Sequence, residues 1–198
     1  LATYVGADAR QSGTFQGEII AETANKGDWN GDGKVGYAMI MGDPENVDAQ
    51  YRTEFSIKAL EDAGLTVEKL FEQRGDWDQT KGQELAANAL AASGDAIDVI
   101  FCNNDAMAMG ALQAIEAAGR KVNEDIYLVG VDALAEALAA IGENRMTGTV
   151  FNDHFSQART AADKASDYIN GTAVENVNVV DYVKVTPANA NDILDMLG

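Results

Sequence analysis

The sequence holds a single cysteine, Cys102, which rules out a disulfide within the chain; it follows the apolar run 99–101, where packing is its expected role. Proline occurs twice and no low-complexity tract is present, so nothing points to disorder. No apolar stretch approaches the roughly 20 residues that span a bilayer. Residues 1–15 have neither the basic start nor the apolar core of a signal peptide, and any export signal is expected upstream. Cations are scarce: 14 Lys and Arg face 32 Asp and Glu, a net charge of −18. That field repels phosphate backbones and anionic headgroups, which argues against nucleic acid and membrane surfaces as partners and leaves a hard cation or a neutral polar ligand.

What is present is a globular sequence of 198 residues, 46% hydrophobic, long enough for one well-cored domain and an appendage. Short β-rich runs at 3–5, 34–41, 67–72, 98–102, 126–131 and 147–151 alternate with helical patterns such as Phe15, Ile19, Ile20 and Leu112, Ile115, Ala118. The alternation predicts an α/β fold, a parallel doubly wound sheet flanked by helices. Gly64, Gly94 and Gly119 fall where helix C-caps are expected, and Asp48, Asp78 and Asp105 read as N-caps. After Phe151 the rhythm changes to a helix at 155–169, a β-rich run at 177–186 and a short helix from residue 188.

Ligands of a doubly wound sheet gather beyond the carboxyl ends of its strands. The loops there are polar: Asp43 to Asp48 with Arg52, Asp76-Trp77-Asp78, Asn103-Asn104-Asp105, Val131-Asp132 and Asn152-Asp153. Each also reads as ordinary helix capping, and Trp77 as an ordinary core aromatic; their recurrence at one edge favours a site. Asp accepts from hydroxyls, Arg donates in a fixed fork, Asn does both, and an indole covers the C–H face of a pyranose, so the set suits a neutral polyol.

A second feature is Asp28-Trp29-Asn30-Gly31-Asp32-Gly33-Lys34-Val35-Gly36, with side-chain oxygens at loop positions one, three and five, glycine at six and a backbone carbonyl at seven, as in a calcium loop. Position twelve is Met39 and position nine is Gly36, so a bidentate carboxylate must come from elsewhere, or the loop is a metal-free turn.

Taken together, Tyr4-Val5-Gly6, the calcium loop, Asp48-Ala49-Gln50-Tyr51-Arg52-Thr53, Asn103 through Gly110, Gly130 through Leu134 and Gly148 through Asp153 resemble the periplasmic glucose/galactose-binding proteins, which feed sugar ABC transporters and chemotaxis. The resemblance implies that Asp48, Arg52, Asn104, Asp132 and Asn152 hydrogen-bond a monosaccharide, that Trp77 stacks on it, and that Asn46 takes the place of a family histidine. It implies calcium on Asp28, Asn30, Asp32 and the Lys34 carbonyl, with Asp98 standing where the family has Glu. It further implies an extracytoplasmic protein whose partners are a membrane permease and a chemoreceptor.

The same resemblance divides the chain into a sugar-binding C-terminal lobe at 1–152, a crossing helix and strand at 153–186 that belong with an N-terminal lobe expected to be missing, and a returning segment at 187–198. The helix at 155–169 then carries an apolar stripe with nothing to cover it, and a homodimer through it is one expected outcome. Two rival functions stay open: the effector core of a sugar-responsive regulator, against which the acidity and the calcium loop argue, and a glycoside hydrolase using Asp76 with Asp78 or Asp105 with Asp132. No Ser or Cys nucleophile with a base supports an enzyme, and the one histidine, His154, reads as a surface residue.

Overall fold

Residues 35–40 and 99–102 are apolar apart from one glycine and buried throughout, the condition of strands covered on both faces. In this computed structural model, which describes residues 3–197, the chain runs β1 (Tyr4–Gly6), α1 (Ala9–Ala21), β2 (Val35–Met41), α2 (Val47–Asp62), β3 (Val67–Arg74), α3 (Gln79–Ser93), β4 (Val99–Cys102), α4 (Asp105–Ala117), β5 (Tyr127–Val129), α5 (Ala135–Gly142), β6 (Thr149–Phe151), α6 (His154–Ile169), β7 (Val177–Val179), β8 (Val183–Val185) and α7 (Ala190–Leu197). Residues 1, 2 and 198, at the ends of the first and last expected segments, lie outside the described residues.

Four strands pair in parallel in the order β3-β2-β4-β5. β6 continues the sheet beside β5: Val129 bridges Gly148, and the Asp132 amide donates to the Val150 carbonyl at 2.8 Å. The direction of winding reverses between β2 and β4, which makes the crevice above their carboxyl ends the natural ligand position.

Alternate strand residues serve opposite faces. Ala38, Ile40, Ile100, Cys102 and Leu128 pack with Leu90, Leu112 and Ile115 of α3 and α4. Tyr37, Met39, Val99, Phe101 and Val129 pack with Ile19, Ile20 and Leu60 of α1 and α2. Two such layers fix the sheet, and the loops at its edge inherit that rigidity.

Helix starts differ from expectation at two places. Asn46, not Asp48, caps α2, its side chain accepting from the Asp48 amide at 2.8 Å; Asn104, not Asp105, caps α4, accepting from the Met107 amide at 3.0 Å. Both aspartates instead occupy first turns, where the helix dipole favours a negative charge. Asp78 caps α3 as expected.

The β-rich run 177–186 divides. β7 pairs in parallel with β1, whereas β8 pairs antiparallel with β6, so residues 183–185 join the main sheet and residues 4–6 leave it. α6 packs against β1 and buries no residue; Tyr168 is 61% and Ile169 81% exposed. The apolar stripe read from the sequence therefore stands open on this face.

Candidate functional site

Arg52 lies in the second turn of α2 and is 5% exposed. Its Nη1 donates to the Asn103 carbonyl at 2.7 Å and stands 3.8 Å from Asp132 Oδ1. Its guanidinium carbon is 5.8 Å from the Trp77 ring centre, within reach of a cation–π attraction. Nε, also buried, has no hydrogen-bond partner among the described residues. A buried unsatisfied donor costs about 1–3 kcal/mol, so a group that accepts from it has a ready gain.

Asp132 follows β5 with φ of 120°, and Ala133 has φ of 57°, both in the region that favours glycine although neither is one. Burial raises the Asp132 carboxyl above the usual carboxylate range; Arg52 opposes the rise and the nearby Asp48 charge adds to it. The pair is therefore a guanidinium and a carboxylate held close, each still able to bond outward.

Asn103, fully buried at the end of β4, ties the loops together. Its Oδ1 accepts from the Gly42 amide at 3.0 Å, its Nδ2 donates to Thr53 Oγ1 at 3.1 Å, and its carbonyl holds Arg52. Asn103 was not among the expected ligand residues; the Asn103-Asn104 doublet after β4 is the one sequence signal that marks it. Asn104 also reaches across to the Trp77 carbonyl, at 3.4 Å.

Trp77 is set by its own loop. Asp76 and Trp77 both adopt positive φ, 52° and 65°, and Asp76 is paired with Arg74 and Lys81. Lys81 first and Arg74 second hold its carboxyl below the usual range. Arg74 continues to Asp43 at 3.5 Å, so the brace joins the β2 and β3 loops behind the indole.

Of the seven expected ligand residues, Arg52, Trp77, Asn104 and Asp132 are thus brought into one contact network. Asp48 is exposed beside them. Asn46 is engaged in its cap, and Asn152 Oδ1 accepts from Gln157 Nε2 at 2.5 Å; both sit at the same edge without a hydrogen bond to the other four among the described residues.

The calcium-like loop closes on itself. Asp28 Oδ1 accepts from the Gly31 amide at 2.7 Å and Oδ2 from the Gly33 amide at 3.0 Å; Asn30 Oδ1 accepts from Asp32 at 2.9 Å, and Asp32 Oδ1 from Lys34 at 3.0 Å. Asp98 reaches it from the foot of β4. Its Oδ1 accepts from the Trp29 and Asn30 amides at 2.9 and 3.0 Å, and its Oδ2 from the Gly36 amide at 2.8 Å. A carboxylate offers about four lone-pair positions, and three of those on Asp98 are taken by backbone. Burial still raises its carboxyl against those three bonds. No group of three or more His, Cys, Asp or Glu converges on a metal position among the described residues; the loop's carboxylate, amide and carbonyl oxygens are of the kind a hard cation takes, and backbone donors occupy three of the positions on Asp98.

Residues 2–173 match the family described as the periplasmic binding protein domain. The D-galactose/methyl-galactoside binding periplasmic protein of Haemophilus influenzae is 35% identical over 98% of this chain and 61% of its own length. A putative rhizopine-binding protein of Rhizobium meliloti is 34% identical over 94% of this chain and 58% of its own. An ABC transporter solute binding protein from Bacillus halodurans, solved with myo-inositol, superposes with a TM-score of 0.83 at 30% identity, covering 98% of this chain and 63% of that one. The chain spans about three fifths of the length of these relatives. A match of that extent, on a doubly wound sheet with its polar edge at the winding reversal, places the chain in the periplasmic binding protein family.

Proposed function

We propose that this chain binds a neutral monosaccharide or related polyol and serves as the substrate-capturing part of a sugar ABC importer. The observation that carries the proposal is Arg52, buried between Asp132 and Trp77 with its Nε unpartnered. Arg52 and Asn104 donate to ring and hydroxyl oxygens, Asp132 and Asp48 accept from hydroxyls, and Trp77 covers an apolar sugar face. Each such hydrogen bond contributes about 0.5–1.5 kcal/mol net, which several together convert into useful affinity. A net charge of −18 and the wall's own carboxylates disfavour anionic ligands. The relatives named for galactoside and rhizopine binding, and the myo-inositol complex, agree with a polyhydroxylated ligand.

The chemistry is reversible capture. Asp76 is held ionised by Lys81 and Arg74, Asp78 caps α3 and Asp105 is buried, so Asp132 faces the ligand without the second carboxylate that glycoside cleavage would need. Function outside the cytoplasm and a membrane permease as partner follow from the importer role. The loop of Asp28, Asn30, Asp32 and the Lys34 carbonyl would hold calcium loosely, with water completing the shell and Asp98 serving first as backbone anchor; the ion would stiffen the entry to β2.

Calorimetry with galactose, glucose, ribose and myo-inositol tests the reading. Saturable heat is expected from at least one of them and none from glucose 6-phosphate. Silence from all four at millimolar concentration, or preference for the phosphate, would sink it.

A further inference from the structure

Asp105 is fully buried beneath the wall and takes no part in it. Its backbone N–H donates to the Val131 carbonyl at 2.7 Å, and its Oδ2 accepts from the Leu134 amide at 2.9 Å. One residue thus grips the chain on both sides of Asp132-Ala133, the dipeptide with φ of 120° and 57°. Its Oδ1 accepts from the Thr149 hydroxyl at 2.7 Å, and Thr149 Oγ1 in turn accepts from the Ala133 amide at 3.4 Å. Gly130 completes the fit, because a Cβ there would overlap Asp105 Oδ1.

Left-handed backbone at residues other than glycine persists only where its surroundings over-determine it. Here the surroundings come from three elements at once: the start of α4, the turn before α5 and β6. We propose that Asp105 is a positioning residue for ligand capture: through Leu134, Val131 and Thr149 it holds the 131–134 turn so that the Asp132 carboxylate faces Arg52 before a sugar arrives. The inference rests on the sugar-wall reading of Asp132 and Arg52. A turn fixed in advance spares binding the cost of ordering it.

The replacements Asp105→Asn, Asp105→Ala and Thr149→Val separate this role from bulk stability. Asn accepts from the Leu134 amide through its carbonyl and donates to Thr149 Oγ1 through its NH2, so it retains both side-chain contacts; Ala retains neither. In Asp105→Ala, hydrogen exchange of the Ala133 and Leu134 amides is expected to quicken about tenfold or more while β2 and β4 amides keep their protection. Sugar affinity is expected to fall about tenfold or more in the same variant and to stay within about threefold of wild type in Asp105→Asn. Should Asp105→Ala not fold, Thr149→Val removes one limb of the bracket and is expected to loosen the same two amides selectively. Uniformly faster exchange across the sheet, an undisturbed turn in Asp105→Ala, or an Asp105→Asn variant as impaired as Ala would overturn the proposal. Absence of sugar binding by the wild type would overturn the wall reading instead, and the exchange measurement would still decide whether Asp105 holds the turn.

Discussion

The indole of Trp77 fills the space that a side chain on Gly42 would need. The end of β2 can therefore carry no Cβ if the aromatic is to lie flat against the edge loops beside Arg52. Gly42→Ala is expected to push the ring aside and weaken sugar binding about threefold to tenfold, the worth of an aromatic contact of about 0.5–1.5 kcal/mol. Trp77→Ala should cost a similar amount, and the double variant little more than either single one, because both remove the same contact. Additive losses in calorimetry would show that Gly42 acts some other way.

Arg52 and Asp132 stand 3.8 Å apart with Arg52 almost wholly buried. Arg52→Lys keeps the charge but loses the planar fork that lets one end hold the Asn103 carbonyl while another faces the ligand. Affinity is expected to fall more than about tenfold with a small change in melting temperature. Asp132→Ala leaves that guanidinium buried without its counter-charge and is expected to lower both. A lysine variant that binds as well as wild type would remove Arg52 from the wall.

The fold class was legible because strands buried on both faces read as continuous apolar runs, as Ile100 and Phe101 do, and local periodicity marks the helices between them. That Trp77, Arg52 and Asp132 lie close together was legible because the loops beyond parallel strands converge at one edge of the sheet. Pairings between distant segments were not. Nothing local tells that Val183 joins β6 while Val177 joins β1, nor that the Asp98 carboxylate bonds to three loop amides. Asp105 looked like a cap because an aspartate before a helical run usually is one; Asn104 one residue earlier took that place, and the freed carboxylate turned inward to Leu134 and Thr149.

Asp98 ties the 28–36 loop to the foot of β4 through three backbone amides. Removing its side chain frees three amide donors: that of Gly36 is buried, where an unsatisfied group costs about 1–3 kcal/mol, and those of Trp29 and Asn30 are partly open to water. Asp98→Ala is therefore expected to lower the melting temperature by a similar amount with calcium or with chelator present. Wild type should gain only about 1–3 degrees from millimolar calcium, as mass action on a weak site predicts. Thermal denaturation in both conditions distinguishes the cases: a large calcium shift that Asp98→Ala abolishes would make Asp98 a metal ligand first.

Buried Asp105 also gives stability a particular pH dependence. Burial pushes its carboxyl from 3.8 up to about 7, with the Thr149 hydroxyl opposing and the Asp132 charge adding. The folded value thus lies above the unfolded one, so the folded state holds the proton more tightly and its contribution is complete only below the unfolded value. It is lost as pH rises through about 7. Asp76, held low by Lys81 and Arg74, works in the opposite direction, and its contribution fades only in acid, as pH falls below the usual carboxylate range. The melting temperature is therefore expected to decline from about pH 4 to about pH 7 and to level off above, and Asp105→Asn, which cannot ionise, should flatten that decline while leaving the acid limb intact. Thermal melts of the two proteins across the range decide the matter: equal slopes between about pH 4 and pH 7 would show that some other group sets them.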